Sequence, residues 1–283
     1  TWAGEDLAGK KILVYAEQGV GDEVMYAGML QRLIDQGAAV FLEANQRLVD
    51  LFERSLTGVA VGQSQNPPLP VFTGDDFDFQ ASSGALMAKL APAYEDLKPA
   101  AAYLKADPAR VSHFCEKYRA PADGGAAPAL VVGIAWRSGN PVTGSRRSAS
   151  LDHWRPVLEL PGVRFVNLQY GDCTEEIAAA RQATGADIVD DAEVDTGGAL
   201  DEFAAQVAAL DLVVSIDNST IHFAGALGVP TLMLLNYEPD WRWFGAETGN
   251  PWYESVAHLR QETPEGWAPV MDAAADVVAG MAA

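Results

Sequence analysis

Residues 210–235 read LDLVVSIDNSTIHFAGALGVPTLMLL. The apolar run 212–216 lies between Asp211 and Asp217, the pattern of a strand buried on both faces of a parallel sheet. Asn218, Ser219 and Thr220 favour a turn or an N-cap, and the helix formers that follow stop at Gly228 and Pro230. Residues 231–235 form a second buried run, so the unit is strand, polar turn, short helix, strand, joined by a right-handed crossover. The turn then lies at the carboxyl end of a sheet, where open α/β folds place their ligands. Backbone N–H groups gather there beside Ser219, Thr220 and His222, and such a corner attracts phosphate. The plainer alternative is that Asp217 or Ser219 only caps the helix while His222 packs.

The same alternation runs through the rest of the chain. Residues 11–15, 40–42, 59–61 and 77–80 read as strands, with helices over 23–37, 46–55, 81–94 and 109–118. Strands at 130–136, 163–169 and 186–189, with helices at 174–183 and 200–207, then lead to Leu212. This is an α/β chain with parallel sheets. The tract 120–128, APADGGAAP, is the best linker. It divides the chain into a first domain over 1–122, a linker over 123–128 and a second domain over 129–283, whose terminal helix, 268–281, can cross back.

Three further stretches carry chemistry. After the first strand, residues 17–23 read EQGVGDE. Gly19 and Gly21 suggest the dinucleotide fingerprint, but Val24 stands where its third glycine belongs. Asp22 at the helix start is a candidate side chain, or an N-cap. The strand ending at Trp136 runs into Arg137 and Ser138, with Arg146 and Arg147 close behind. These arginines suit a diphosphate, whose oxygens guanidinium groups match in pairs, or else surface ion pairs. The tail interleaves Tyr237, Trp241, Trp243, Phe244, Trp252 and Tyr253 with Arg242 and Arg260, as sugar-stacking faces or as packing.

Composition sets limits. A formal charge of −20 over 283 residues repels nucleic acid and anionic membranes. No run approaches the roughly 18 apolar residues of a membrane span, and the first residues lack a signal-peptide layout. The chain starts at Thr1, as a processed chain or a piece of a longer one would. Cys115 and Cys173 are too few for a disulfide framework and suit a reducing cytoplasm; the four histidines are scattered and give zinc no support.

EQGVGDE, GIAWRSGNP with the following RRS, DLVVSIDNSTIHFAGALGVP and the DWRWF, NPWY and RQ tail together resemble the bacterial glycosyltransferases attached to tetratricopeptide repeats. Those are similar to the lipopolysaccharide (ADP-heptose) heptosyltransferases. The family usually has Asp-Thr where this chain has Asp217-Asn218. The resemblance implies a GT-B architecture, two Rossmann-like domains facing a cleft, and an inverting transferase that needs no metal or other cofactor. It implies Asp22 as general base. Donor contacts would come from Asp217, Asn218, Ser219, Thr220, His222, Arg137, Ser138, Arg146 and Arg147, and the acceptor side from Gln18, Gly19, Gly21 and Trp241. The implied partners are a nucleotide-sugar donor and a protein or glycan acceptor, with flagellin as one candidate, and a tetratricopeptide region in a longer chain. A non-catalytic nucleotide or glycan-binding module and a sugar-nucleotide epimerase are the competing readings.

Overall fold

The computed structural model describes residues 1–73, 76–121, 125–246, 249–264 and 266–283. Its first half runs β1 (Lys11–Tyr15), α1 (Val20–Ala27), α2 (Leu30–Asp35), β2 (Ala39–Ala44), α3 (Val49–Ser55), β3 (Val59–Gln63), α4 (Pro70–Thr73), β4 (Phe79–Ser82), α5 (Ser83–Leu90) and α6 (Pro108–Arg119). The second runs β5 (Leu130–Ala135), α7 (Gly144–Arg147), α8 (Arg155–Leu158), β6 (Val163–Asn167), α9 (Thr174–Thr184), β7 (Asp187–Val189) and α10 (Leu200–Ala208). It continues with β8 (Leu212–Ile216), α11 (Ser219–Leu227), β9 (Thr231–Leu235), β10 (Val256–Arg260) and α12 (Trp267–Ala282).

Among the described residues four strands form one parallel sheet, ordered β3-β2-β1-β4, and six form another, ordered β10-β9-β8-β5-β6-β7. Every residue of β5, β8 and β9 is buried, as their uninterrupted apolar runs require. In both sheets the chain builds outward on one side and then returns to the other side of its first strand, so strand order reverses beside β1 and between β5 and β8. Loops leaving these strands at their carboxyl ends splay apart there and leave a crevice.

Several elements depart from the sequence reading. The helix expected over 23–37 is two helices, broken at Gly28 and Met29. Tyr103 packs against the break: a Cβ on Gly28 would lie 2.9 Å from its ring, and its hydroxyl donates to the Val24 carbonyl at 2.8 Å. β4 begins at Phe79 rather than Phe77. β10 lies within the aromatic tail and pairs with β9 at the sheet edge, where one neighbour is enough and its apolar pattern is weak. The terminal helix α12 does not cross back to the first sheet. Its main contacts are with α8 and β10, and Trp267, Val270, Met271, Ala274 and Val278 complete the outer core of the second sheet.

The crossing between halves is made instead by residues 100–104. Ala100 N–H donates to the Trp252 carbonyl at 2.8 Å, and the N–H groups of Tyr103 and Leu104 both reach the Ala226 carbonyl at 2.9 Å. α1 packs on α11, and α10 packs on α6 and α3, so one apolar cluster runs from the first sheet into the inner face of the second. Of the expected linker over 123–128, residues 123 and 124 lie outside the described residues.

Candidate functional site

A cavity of about 550 Å³ lies between the halves, where the loops after β1, β5 and β8 converge. One wall is the meeting of two helix N-termini. A Cβ on Gly21 would stand 3.3 Å from the Ser219 Cα and 3.1 Å from the His222 ring, so the glycine lets α1 touch α11. The bareness of this position therefore serves helix packing rather than ligand approach. Gly19 is the backbone N-cap of α1, lines the cavity, and has room for a Cβ.

Asp22 is not a cap. Its side chain, 17% exposed, turns to the cavity and crosses to the other half, where Arg242 donates from Nε to Oδ1 at 2.8 Å and from Nη2 to the same oxygen. Arg242 Nη1 donates to Asp240 Oδ1 at 2.6 Å, Arg147 Nη2 donates to Asp240 Oδ2 at 2.5 Å, and Arg147 Nη1 lies 3.2 Å from Asp217 Oδ2. A chain of alternating charge thus runs Asp22, Arg242, Asp240, Arg147, Asp217. It joins the first turn of α1 to the end of β8 through loops that no single stretch of sequence contains.

Burial sets the protonation of this corner. Asp217 is buried and its carboxyl is pushed above the usual range, with the charge of Arg147 working the other way. Burial also opposes the Asp240 carboxylate, but the hydrogen bonds and charge of Arg242 outweigh it and hold that group below the usual range. Burial keeps His222 neutral, lowered to about 3, with Arg242 adding to the effect. Its Nδ1 meets the Tyr253 hydroxyl at 2.9 Å and its ring stacks on Trp243 at 5.5 Å between centroids. The tyrosine in turn needs Gly225, since a Cβ there would stand 2.3 Å from the Tyr253 ring.

Asn218, rather than Asp217 or Ser219, caps α11: its Oδ1 accepts from Thr220 N–H at 2.9 Å and from Ser215 Oγ at 3.1 Å, and its Nδ2 donates to the Arg137 carbonyl at 3.4 Å. Ser219 and Thr220 line the cavity beside it. Arg137 and Ser138 also line it; Arg137 Nε is held by Glu176 at 3.0 Å, and Ser138 N–H by Ser148 Oγ at 3.0 Å.

Two expected members stand apart. The Arg146 side chain is 62% exposed, faces Glu238 at 3.4 Å and does not line the cavity, because the turn of α7 points it away from its neighbour Arg147. Trp241 is also outside the lining and 48% exposed; its ring supports the Arg242 guanidinium at 4.7 Å. Gln18 contributes its Oε1 to Arg242 Nη2 at 3.1 Å. Of the tail aromatics, Trp243, Trp252 and Tyr253 are packing, and Trp252 Nε1 fastens the Arg242 carbonyl at 2.8 Å.

Asp240, Arg242 and Arg47 were not among the residues singled out from sequence for this site. The first two carried one signal, opposite charges inside an aromatic run. Arg47 carried none. It extends from the first half into the cavity wall and donates to the carbonyls of Gly198 at 2.9 Å and Thr196 at 2.5 Å. Among the described residues no three His, Cys, Asp or Glu side chains are grouped to hold a metal ion, and no helix is long and apolar enough to cross a membrane.

No protein-family model matches the chain. Protein FlbA of Caulobacter vibrioides is 38% identical over 295 residues, an alignment that takes in all of this chain and 48% of FlbA, so the chain spans about half the length of that relative. A glycosyl transferase family 9 structure from Veillonella parvula superposes with a TM-score of 0.67 at 13% identity, covering 91% of this chain and 88% of that one. The E. coli ADP-heptose lipopolysaccharide heptosyltransferase II gives 0.67 at 13% identity over 96% and 98%. E. coli heptosyltransferase WaaC with ADP-2-deoxy-2-fluoro heptose gives 0.54 at 13% over 96% and 100%. At this identity the likeness is one of fold, and the chain is thereby an α/β protein of GT-B architecture, arranged as in glycosyltransferase family 9.

Proposed function

We propose that the chain is a glycosyltransferase that moves a sugar from a nucleotide-sugar donor to a hydroxyl of a protein or glycan, with inversion at the anomeric carbon. The observation that carries this reading is that Asp22, Arg147 and the N-terminus of α11 line one cavity. A donor needs two things that this arrangement supplies. Its leaving phosphate gathers negative charge, which guanidinium groups and helix N-terminal N–H groups stabilise without a metal. Its acceptor needs a carboxylate on the other side of the sugar to take the hydroxyl proton as oxygen attacks C1. Both Arg242 contacts fall on Asp22 Oδ1. That leaves Oδ2 for the acceptor, with the carboxylate fixed in orientation. The volume, about 550 Å³, is the scale of sites that hold nucleotide-sized ligands. The domain division at residues 123–128 belongs to this proposal, with the acceptor on the first sheet and the donor on the second.

The test is a pair of measurements on wild type and Asp22→Asn. A thermal-shift screen against nucleotides and nucleotide sugars, with and without chelator, identifies the donor class by mass action. Asp22→Asn is then expected to keep that shift while transfer to acceptor falls roughly 100-fold or more, the scale of a general base. Unchanged turnover in the variant removes Asp22 from the role. Isomerised donor in the absence of acceptor points to the epimerase, and binding with no turnover by wild type points to a binding module.

A further inference from the structure

The charge chain contains its own anion. Each oxygen of Asp240 takes one arginine, Oδ1 from Arg242 Nη1 at 2.6 Å and Oδ2 from Arg147 Nη2 at 2.5 Å, which is how a phosphate bridges two guanidinium groups. Asp240 and both arginines are nearly buried, with side chains 12 to 15% exposed, and all line the cavity. With every group ionised, three aspartates and two arginines leave this cluster with an excess negative charge. An anionic ligand entering here finds its best donors already taken.

Building on the reading of the cavity as a nucleotide-sugar site, we propose that Asp240 is a positioning residue that holds Arg147 and Arg242 in place of the donor's phosphate and competes with that phosphate for them. The Asp240 carboxylate holds both guanidinium groups at the cavity wall and keeps Arg242 on Asp22. The arriving phosphate takes Arg147 Nη2 and Arg242 Nη1 from Asp240. When the nucleotide leaves, the carboxylate recovers them, so the same group that lowers donor affinity hastens product release. Arg242 is the shared member, held by Asp240 on Nη1 and by Asp22 on Nε and Nη2. Donor binding is thereby transmitted to the base.

The experiment is calorimetric titration of inorganic pyrophosphate, ADP, UDP and CMP into wild type, Asp240→Asn, Asp240→Ala and Asp240→Glu. Loss of the competing charge is expected to tighten binding by roughly tenfold in the Asn and Ala variants, while the Glu variant, which retains the charge, stays near wild type. A residue that only supports the loop would weaken binding when removed. Alanine provides the same test should the asparagine amide disturb Arg147. Binding by wild type that both neutral variants leave unchanged or weaken overturns the inference alone. No binding of any probe by any of these proteins overturns the nucleotide-sugar reading and the inference with it.

Discussion

Asp22 and Glu23 are adjacent in sequence and opposite in environment. Asp22 turns to the cavity and to Arg242, whereas Glu23 is 7% exposed beneath α1 and accepts from Asn45 N–H at 2.8 Å. Burial raises the Glu23 carboxyl from its ordinary 4.5 to about 7; the Asn45 hydrogen bond opposes the rise and the charge of Asp22 adds to it. An acid whose pKa is raised on folding favours the folded state while protonated. Its contribution is fully present below about 4.5 and is lost as pH rises through about 7. The loss is on the order of 3 kcal/mol. His222 runs the other way: its lowered pKa gives a contribution present above its ordinary 6.5 and lost as pH falls toward about 3. Urea unfolding of wild type and Glu23→Gln from pH 4.5 to 8 separates the two. The variant is expected to gain stability relative to wild type as pH rises, and parallel curves would show that Glu23 is not buried as a free acid.

At the scale of elements, contact between helices and loops depends on absent side chains. α11 presents Gly225 to the Tyr253 ring, and Tyr253 holds the His222 imidazole within the cavity wall. Gly225→Ala is expected to cost about 1 to 3 kcal/mol, since overpacking a filled site outweighs the helix propensity that alanine gains. It should also lower nucleotide affinity, because Tyr253 and the loop behind it must shift. Gly280→Ala in α12 meets nothing within 4 Å and is the matched control, neutral or stabilising by about 0.5 to 1 kcal/mol. Equal effects at the two positions in denaturant titration would show that the Gly225 contact carries no strain. The α1–α2 break follows the same logic at lower cost: Tyr103 both blocks Gly28 and satisfies the Val24 carbonyl that the break exposes.

For the whole molecule, the decisive feature is that the first sheet and the inner face of the second share one apolar core. Val24, Met25 and Tyr26 of α1 join Ile221, Phe223 and Ala224 of α11 and Phe203 and Val207 of α10. Ion pairs also cross, such as Arg54 with Asp201, but partly exposed pairs of this kind contribute about 1 kcal/mol or less. Burial of each large apolar side chain contributes roughly 1.5 to 3 kcal/mol. The apolar contact therefore dominates, and the halves are expected to unfold together. Tryptophan fluorescence and far-ultraviolet circular dichroism should report one coincident urea transition. Two separated transitions would show that each half holds its own core and that the shared cluster is marginal.

Much of this arrangement was legible before folding. The apolar runs at 11–15, 130–136, 212–216 and 231–235 are long enough and pure enough to dictate buried parallel strands, and the polar residues at their carboxyl ends mark the crevice. Asp22 and Asp217 follow directly on those strands, and so their place by the cavity follows from local pattern. The weakly patterned edge strand β10 and the split of α1 from α2 were not legible, since one depends on pairing with β9 and the other is packed by Tyr103, 75 positions away from Gly28 by sequence. Charge count could not separate Arg147 from Arg146 either; only the turn of α7 points one inward and the other to solvent. Above all, local pattern determined the two sheets and their loops, whereas the pairing of Asp22 with Arg242 was decided by tertiary structure. The physical reason is that a hydrogen bond across 220 positions exists only after α1 has packed on α11 and the aromatic loop has closed behind Arg242.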